Sequence, residues 1–158
     1  MLEFRPLVNT DFPLMLEWLS REHVKEWWDD GDDTLEKVAR HYGRSEEGLE
    51  RFILLEVHNG DKKPIGYFQY YAFEDGSIGI DQFIGEETHI NRGIGSAAVT
   101  AFVEIIKRRQ DPPYILLDPH PANARAIRCY EKAGFEHYAT EQDENGKTAF
   151  IMRIGRPW

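Results

Sequence analysis

Two aspartates and one tyrosine have the residue types that proton-transfer chemistry requires. Asp81 interrupts the otherwise apolar segment "SIGIDQFIG" (77–85), and Asp118 closes the apolar segment "YILLD" (114–118). A carboxylate can remove a proton from an ammonium group, and a tyrosine hydroxyl such as that of Tyr130 can donate one. Each residue also has a structural interpretation: Asp81 on the exposed face of an edge strand, Asp118 in an Asp-Pro turn, and Tyr130 in core packing. The residues alone leave both interpretations open.

The stretch "HINRGIGSAAV" (89–99) is a candidate phosphate-binding loop. Gly93 and Gly95 would let backbone N–H groups approach an anion closely, and the helical pattern that follows would add a positive helix end. Tight helix packing is the alternative explanation. The glycine spacing of this stretch also fits a dinucleotide-binding fingerprint, in which Asp118 would be the ribose-binding acid. The polar stretch 86–92 and the hairpins before it disfavour that fingerprint, and the missing Gly-Lys-Ser/Thr excludes a P-loop.

The segment "WWDDGDD" (27–33) combines aromatic rings with carboxylates, which together suit an aminated sugar through stacking and cation attraction. Trp27 and Trp28 are the better candidates for a binding pocket, because two adjacent tryptophans do not easily face one core. The aspartates that follow are interpreted as a solvated acidic loop. Gln69, a polar residue within "GYFQYY", either lines the same cleft or faces solvent.

Composition narrows the class of protein and the classes of partner. The 158 residues, 41% hydrophobic and 30% charged, indicate one globular domain. The net charge of −9 disfavours nucleic-acid binding and favours a cationic partner. The single cysteine, Cys129, agrees with a reducing cytoplasm, and no signal peptide or membrane span is evident. Six histidines without ligand spacing predict no metal site.

Hydrophobic periodicity and turn residues predict an α/β protein with a mixed sheet that is not doubly wound. Strand patterns occupy 2–8, 51–57, 64–73, 77–85, 114–118 and both arms of a hairpin around Asn145-Gly146. Helical patterns end near Leu19, near Arg109 and at Ala133, the last beginning after Asn123 as its cap. The order predicts antiparallel strands first and a parallel pair across the long helix.

Three finer details of the helices are also predicted. His23 and Trp27 lie four residues apart and should share one face of a short helix. Asp33 and Glu36 should begin the next helix as a capping box. The core face of the long helix is predicted to consist of Ile94, Ala98, Ala101, Phe102 and Ile105.

The segments "THINRGIGSAAVTAFVEII" (88–106) and "DPHPANARAIRCYEKAGF" (118–135) resemble the GNAT superfamily of acetyl-CoA-dependent N-acetyltransferases. The segments "EWLSREHVKEWW" (17–28), "PIGYFQYY" (64–71) and "GIDQFIG" (79–85) extend the resemblance to the aminoglycoside 6′-N-acetyltransferase branch. Together these segments cover nearly the whole chain. The resemblance implies a single domain over 1–158, with a mixed, centrally splayed β-sheet flanked by helices.

The resemblance further implies transfer of an acetyl group to a primary amine by direct attack in a ternary complex. It makes Asp81 the base, Asp118 the residue that binds the cationic acceptor or shares the proton relay, and Tyr130 the acid. An exchange of roles between the two aspartates is the alternative. The implied acetyl-CoA contacts are Gln82, Phe83, Ile84, Asn91, Arg92, Gly93, Ile94, Gly95, Ser96 and Asn123. The implied acceptor contacts are Trp27, Trp28, Gln69, Asp81 and Asp118. Helix capping would equally explain Asn123.

One departure from the aminoglycoside branch weakens the assignment of the acceptor. Relatives can carry a longer, tryptophan- and acid-rich connection where this chain has only Glu74-Asp75-Gly76. A siderophore precursor, another small amine or a protein N-terminus are therefore alternative acceptors, and a noncatalytic acyl-CoA sensor is an alternative of a different class. Cys129 has no local base beside it, which disfavours a covalent acetyl-cysteine. The protein is further expected to be a monomer or a homodimer and to hold no metal. Its expected biological role is antibiotic resistance.

Overall fold

The computed structural model describes residues 1–158, which divide into two compact units. The first unit comprises 1–69 and 82–90, and the second comprises 70–81 and 91–158. The strands are β1 (Leu2–Pro6), β2 (Leu49–His58), β3 (Asp61–Ala72), β4 (Ile78–Ile84), β5 (Tyr114–Leu117), β6 (Glu136–Gln142) and β7 (Thr148–Gly155). The helices are α1 (Phe12–Leu19), α2 (Glu22–Lys25), α3 (Leu35–Tyr42), α4 (Ile94–Gln110) and α5 (Ala124–Lys132). The strands form one sheet in the order β1-β2-β3-β4-β5-β7-β6.

The first unit has a core that is unusually rich in aromatic side chains. β1 pairs antiparallel with β2, with Phe4 opposite Leu54. Trp18 of α1 is fully buried and meets Phe83 edge to face at 6.1 Å. Arg5 and Asp11 form a bidentate pair at 2.7 and 2.8 Å beside this core, and Asp11 also accepts from the Val8 N–H. The burial of these rings removes apolar surface from water and stabilises this unit.

The second unit contains the parallel pair that the sequence predicts. β4 and β5 pair in parallel only at Ile78–Ile115 and Gly79–Leu116, after which β4 continues to Ile84 without further pairing to β5. β7 pairs antiparallel with both β5 and β6 and therefore lies between them. The splayed β4–β5 pair and the mixed sheet confirm the predicted fold class, and they exclude the dinucleotide-binding fold.

Two of the predicted helix details are wrong. His23 and Trp27 were predicted to share one face of a short helix. α2 ends at Lys25, so Trp27 lies beyond that helix. The cap of α3 is Thr34, whose hydroxyl accepts from the Lys37 N–H at 3.2 Å. Asp33 instead pairs with the Lys37 ammonium at 2.8 Å, because a carboxylate one residue further out reaches the side chain and not the backbone.

The predicted core face of α4 is only partly right. The residues that α4 buries are Ala98, Val99, Phe102, Val103 and Ile106. Ile94, Ala101 and Ile105 are half-buried, so the true apolar stripe lies about one residue further along the helix than the predicted one. None of the helices is long and apolar enough to cross a membrane. The prediction of one domain over 1–158 stays a prediction.

Candidate active site

Asp81 and Asp118 lie on one face of the sheet, just past the point where β4 and β5 separate. Gly79 pairs with Leu116, so their side-chain positions share a face, and each aspartate lies two residues further along its strand. The carbonyl of Pro119 accepts from Phe150 N at 3.3 Å, which continues the β5–β7 register through Asp118. β4 lies between β3 and β5, so the edge-strand interpretation of Asp81 is wrong.

Asp118 has an environment suited to accepting a proton. Desolvation of its carboxylate by neighbouring protein atoms raises the pKa of Asp118 above the ordinary value, although the residue as a whole is exposed to solvent. A hydrogen bond from its own backbone N–H and the positive charge of Lys147 act in the opposite direction. A raised pKa makes a carboxylate a stronger base while it is still ionised at neutral pH.

Tyr71 of β3 lies against the same part of β4 and was missed by sequence reasoning. A Cβ added to Gly79 would come 2.4 Å from Tyr71 Cζ and 2.7 Å from its hydroxyl oxygen. Burial, with the negative charges of Asp81 and Asp118, raises the pKa of Tyr71 above its ordinary value. The available sequence signal was Gly79 itself, because a glycine inside an apolar strand marks a close approach by another group.

The start of α4 has the geometry of an anion-binding site. Gly93 occupies the cap position with φ 76°, and Asn91 also has a positive φ of 63°. No side chain caps this helix, so the first-turn N–H groups of Ile94, Gly95 and Ser96 receive no acceptor from a capping side chain. Gly93 faces open space, since nothing lies within 4 Å of a Cβ built on it. These features fit a pyrophosphate approaching the backbone.

α5 packs beside that loop and carries Tyr130. A Cβ added to Gly95 would lie 3.1 Å from Cys129 Sγ, so α4 packs closely on α5 at Gly95, whereas Gly93 has the left-handed conformation that favours glycine. Tyr130 is 7% exposed. Burial raises the pKa of the Cys129 thiol to about 11, which keeps it protonated and unsuited to a covalent mechanism. Asn123 caps α5 by accepting from Ala126 N at 3.2 Å, which confirms its capping role.

The two candidate tryptophans of the first unit have different surroundings. Trp28 packs edge to face on Phe83 at 5.2 Å, and its indole N–H donates to the Tyr42 hydroxyl at 3.2 Å. Trp27 is 38% exposed. The expectation that the two rings cannot share one core is therefore confirmed, with Trp28 turned inward and Trp27 outward.

Trp28 also lines an acidic cleft of about 320 Å³ within the first unit. The residues lining it are Leu19, Ser20, Lys25, Trp28, Asp29, Asp30, Gly31, Asp32 and Asp33. Asp32 is not solvated as the sequence suggested: its side chain is 12% exposed and pairs with His41 Nδ1 at 2.7 Å. The pairing was not predictable, because it joins a loop to a helix nine residues later.

The remaining predicted contacts of the first unit lie on β3 and β4. Gln69 accepts a hydrogen bond from the Tyr67 hydroxyl at 2.6 Å, which orients its amide. Gln82–Ile84 form the end of β4, and the Ile84 carbonyl is 3.0 Å from His23 Nε2. Phe83 is buried and stacks on Tyr67 at 5.6 Å, so its backbone and not its side chain is the part available for binding.

The polar segment after β4 is held in place by charged and aromatic residues of the first unit. The Trp18 ring packs directly on Gly85, leaving no room for a Cβ there. Arg21 donates to the Gly85 carbonyl at 2.8 Å and pairs with Glu86 at 3.0 Å. His89, buried at 7% exposure, lies 3.0 Å from a Glu56 oxygen. This polar lead-in is therefore an ordered element.

Comparisons with known proteins agree with this fold and site. The family profile described as "Acetyltransferase (GNAT) domain" matches residues 8–142. An aminoglycoside N(6′)-acetyltransferase type 1 from Klebsiella pneumoniae is 33% identical, over 94% of this chain and 81% of its own. A kanamycin resistance protein from Rhizobium radiobacter is 38% identical over 51% of this chain and 74% of its own. A crystal structure of AAC(6′)-Ib with coenzyme A and kanamycin superposes with a TM-score of 0.86, at 33% identity, covering 99% of this chain and 95% of that one.

The chain belongs to the GNAT acetyltransferase family. It is an acetyl-CoA-dependent N-acetyltransferase, as the resemblance of its motifs implies. The uncapped start of α4 is the feature that fits the pyrophosphate of this co-substrate.

Proposed function

We propose that this enzyme transfers the acetyl group of acetyl-CoA to a primary amine of an aminoglycoside, of the 6′-amino type. The observation that carries the proposal is the placement of Asp81 and Asp118 on one face where β4 and β5 diverge. Two carboxylates at one position suit an acceptor that is cationic and must lose a proton. The net charge of −9 and the names of the relatives support the same acceptor class.

The proposed chemistry is direct attack of the amine in a ternary complex. An amine attacks only through its lone pair, so a carboxylate must first take a proton from the ammonium form. Asp81 is proposed as this base, with Asp118 binding the cationic acceptor or sharing the proton relay. The raised pKa of Asp118 supports its part in the relay.

Bound acetyl-CoA supplies an activated thioester. Asn91 to Ser96 are proposed to hold its pyrophosphate through backbone N–H groups, with Arg92 adding a positive charge. The backbone N–H groups of Gln82–Ile84 are proposed to polarise the thioester carbonyl, and Asn123 to reach the pantetheine arm with the part of its amide not used in capping. Preorganised backbone donors of this kind stabilise developing negative charge.

Tyr130 is proposed as the acid that protonates the departing thiolate. Its place on α5, one residue after Cys129, supports this role, because α5 packs against the start of α4. Trp27, Trp28 and Gln69 are proposed acceptor contacts, through ring stacking and amide hydrogen bonds. We propose action in the cytoplasm, without nucleic-acid or membrane partners, as a monomer or homodimer.

A coenzyme-A release assay with a panel of amines tests the acceptor. Kanamycin should give acetyl-CoA-dependent thiol release with kcat/KM at least ten times that for spermidine, lysine derivatives or peptides. Release with one of those amines and none with kanamycin would overturn the aminoglycoside assignment while leaving the acetyltransferase intact.

Variants of the proposed catalytic groups test the mechanism. Asp81→Asn and Tyr130→Phe should each lower kcat by about 100-fold, within the range for loss of a general base or acid. Cys129→Ala is the matched control on α5 and should keep kcat within about two-fold, since the thiol is protonated and serves packing. An isolable acetyl-enzyme with ping-pong kinetics contradicts direct attack. Tight coenzyme-A binding with turnover of every amine unchanged in both variants would contradict the assigned roles.

A further inference from the structure

The last carbonyl of β4 is held by a histidine side chain that has no role assigned so far. His23 Nε2 lies 3.0 Å from the Ile84 carbonyl oxygen, and the His23 side chain is half-buried. A carbonyl can only accept a hydrogen bond, so Nε2 of His23 is the nitrogen that carries the proton. The contact therefore sets the tautomer of the neutral ring as well as its position.

The Ile84 carbonyl faces the side of β4 that is turned away from β3. The N–H of the next residue, Gly85, donates to the Ile65 carbonyl of β3 at 2.8 Å. Successive residues of a strand direct their backbone polar groups to opposite sides, so the N–H and the carbonyl of Ile84 both face away from β3. β4 has no pairing with β5 beyond Gly79, so neither of these Ile84 groups is used in pairing to β5.

The segment 21–23 provides a donor for each of the two carbonyls at the end of β4. Arg21 donates to the Gly85 carbonyl at 2.8 Å, and His23 donates to the Ile84 carbonyl. Because Ile65 accepts from the Gly85 N–H, the peptide group that joins Ile84 to Gly85 is held at its carbonyl end and at its N–H end. These two hydrogen bonds resist rotation of that peptide group and so fix the backbone direction at Ile84.

The hydrogen bond from His23 also affects the electrostatics of this edge of β4. N–H donors stabilise the negative charge that develops on a thioester oxygen during attack by an amine, whereas the negative end of a carbonyl dipole repels that charge. The Ile84 carbonyl lies on the same side of the strand as the Ile84 N–H, so without a partner it would oppose the donor beside it. The imidazole N–H of His23 offsets the negative end of this carbonyl.

We propose that His23 is a positioning residue of the acetyl-CoA site, which holds the Ile84 carbonyl so that the Ile84 N–H is directed at the thioester oxygen. This inference rests on the proposed function of the backbone N–H groups of Gln82–Ile84. His23 takes no part in proton transfer in this arrangement, since a carbonyl is too weak a base to remove the Nε2 proton.

His23→Phe tests the proposal, because it keeps an aromatic ring and removes the donor. We expect kcat/KM for acetyl-CoA to fall about ten-fold, near the upper end for loss of one hydrogen bond, while KM for the amine stays within about two-fold. His23→Gln places an amide N–H group near the position of Nε2 and should recover kcat/KM to within about three-fold of the parent enzyme. Parent activity in His23→Phe, or equal losses in His23→Phe and His23→Gln, would overturn the proposal.

Arg21→Met is the matched control, because it removes the donor to the neighbouring carbonyl from the same segment. It should lower Tm and keep kcat/KM for acetyl-CoA within about two-fold, since the Gly85 N–H is directed at Ile65 and not at the thioester. Equal losses of kcat/KM in Arg21→Met and His23→Phe would mean that general anchoring of β4 is responsible, and would count against a specific role for His23.

Amide hydrogen exchange tests the same hydrogen bond without turnover. In His23→Phe the Gly85 amide should exchange about ten-fold faster than in the parent protein, because its peptide group is then held at one end only. The amides of β1 should be unchanged, and His23→Gln should resemble the parent protein. An unchanged exchange rate at Gly85 in His23→Phe contradicts the proposal.

Failure of this inference differs from failure of the proposed function. If Asp81→Asn lowers kcat while His23→Phe behaves as the parent enzyme, only the role of His23 is wrong. If His23→Phe lowers kcat/KM for acetyl-CoA and the amine acetylated is not kanamycin, the role of His23 stands and the aminoglycoside assignment is wrong.

Discussion

Three opposing influences set the pKa of the Asp118 carboxyl group. Burial raises this pKa, whereas a hydrogen bond from its own backbone N–H and the charge of the Lys147 ammonium lower it. The balance matters for catalysis because Asp118 must be ionised to bind the cationic acceptor or to take a proton in the proposed relay, so activity falls as the pH drops through its pKa. The acidic limb of the pH–rate profile therefore reports the neighbours of Asp118.

Removing the charge of Lys147 should move that limb. In Lys147→Met the carboxylate loses a favourable charge, its pKa rises further, and the acidic limb of kcat/KM shifts to higher pH. The alkaline plateau should be unchanged, because the carboxylate is ionised there in both proteins. The measurement is a pH series of initial rates with saturating acetyl-CoA.

Lys132→Met is the control for loss of a positive charge in the same unit. Lys132 acts on the Cys129 thiol and not on Asp118, so its removal should leave the acidic limb in place. Identical shifts in the two variants would mean that the net charge of the protein, and not the interaction of Lys147 with Asp118, sets the pH at which kcat/KM falls.

At the scale of elements, α4 begins without a side-chain cap and with a residue in the left-handed region. Ordinary helices begin with a Ser, Thr, Asp or Asn that satisfies a first-turn N–H group, as Thr34 does for α3. Gly93 provides no such acceptor, so α4 gives up local stability in exchange for exposed donors. A bound anion supplies the hydrogen-bond acceptor that a capping side chain would otherwise provide to these N–H groups.

Gly93→Ala should weaken the donor site. A non-glycine residue at φ 76° costs about 1 kcal/mol, and relief of this strain by a local shift misaligns the first-turn N–H groups. A loss of that size corresponds to about a five-fold rise in KM for acetyl-CoA. KM for the amine should stay within about two-fold.

Gly146→Ala is a closely matched comparison. Gly146 has φ 79° and, like Gly93, has nothing within 4 Å of an added Cβ, but it lies in the turn between β6 and β7. It should lower Tm by an amount similar to Gly93→Ala while leaving KM for acetyl-CoA unchanged. A rise in KM in both variants would show that general loss of stability, and not loop geometry, governs donor binding.

The elements also show which features a sequence can predict. Glycine chemistry at Gly93 and capping by Asn123 are local, and both were predictable from a few residues. The buried face of α4 was predicted about one residue away from its true position, because several apolar residues could form that face and tertiary packing decides between them. The cap of α3 was assigned to the wrong residue, because more than one polar residue there can cap a helix. Tyr71 was missed because its partner Gly79 is brought to it by strand pairing.

The whole molecule carries a net charge of −9, which bears on both co-substrates in opposite ways. A polycationic aminoglycoside is attracted at long range, whereas acetyl-CoA, itself anionic, is repelled and must be bound by local donors. At 0.1 M ionic strength the Debye length is about 10 Å, so salt weakens both the attraction and the repulsion beyond that distance.

Ionic strength should therefore separate the two substrates. Between 50 and 500 mM NaCl, kcat/KM for kanamycin is expected to fall by about ten-fold, as long-range attraction is screened. Over the same range kcat/KM for acetyl-CoA should stay constant or rise. A salt response that is the same for both would remove the acidic surface as a factor in acceptor capture.

The position of β7 in the sheet has a consequence for how the protein is made. β5 can pair with β7 only after residues 148–155 have been synthesised, some thirty residues after β5 itself. Until those residues leave the ribosome, the β7 side of β5 is an unpaired edge, and Asp118 at its end lacks the strand that fixes its register. The nascent chain can therefore complete the catalytic face only once residues 148–155 have emerged, and a ribosome stalled before residue 148 should hold a chain that is sensitive to protease and inactive.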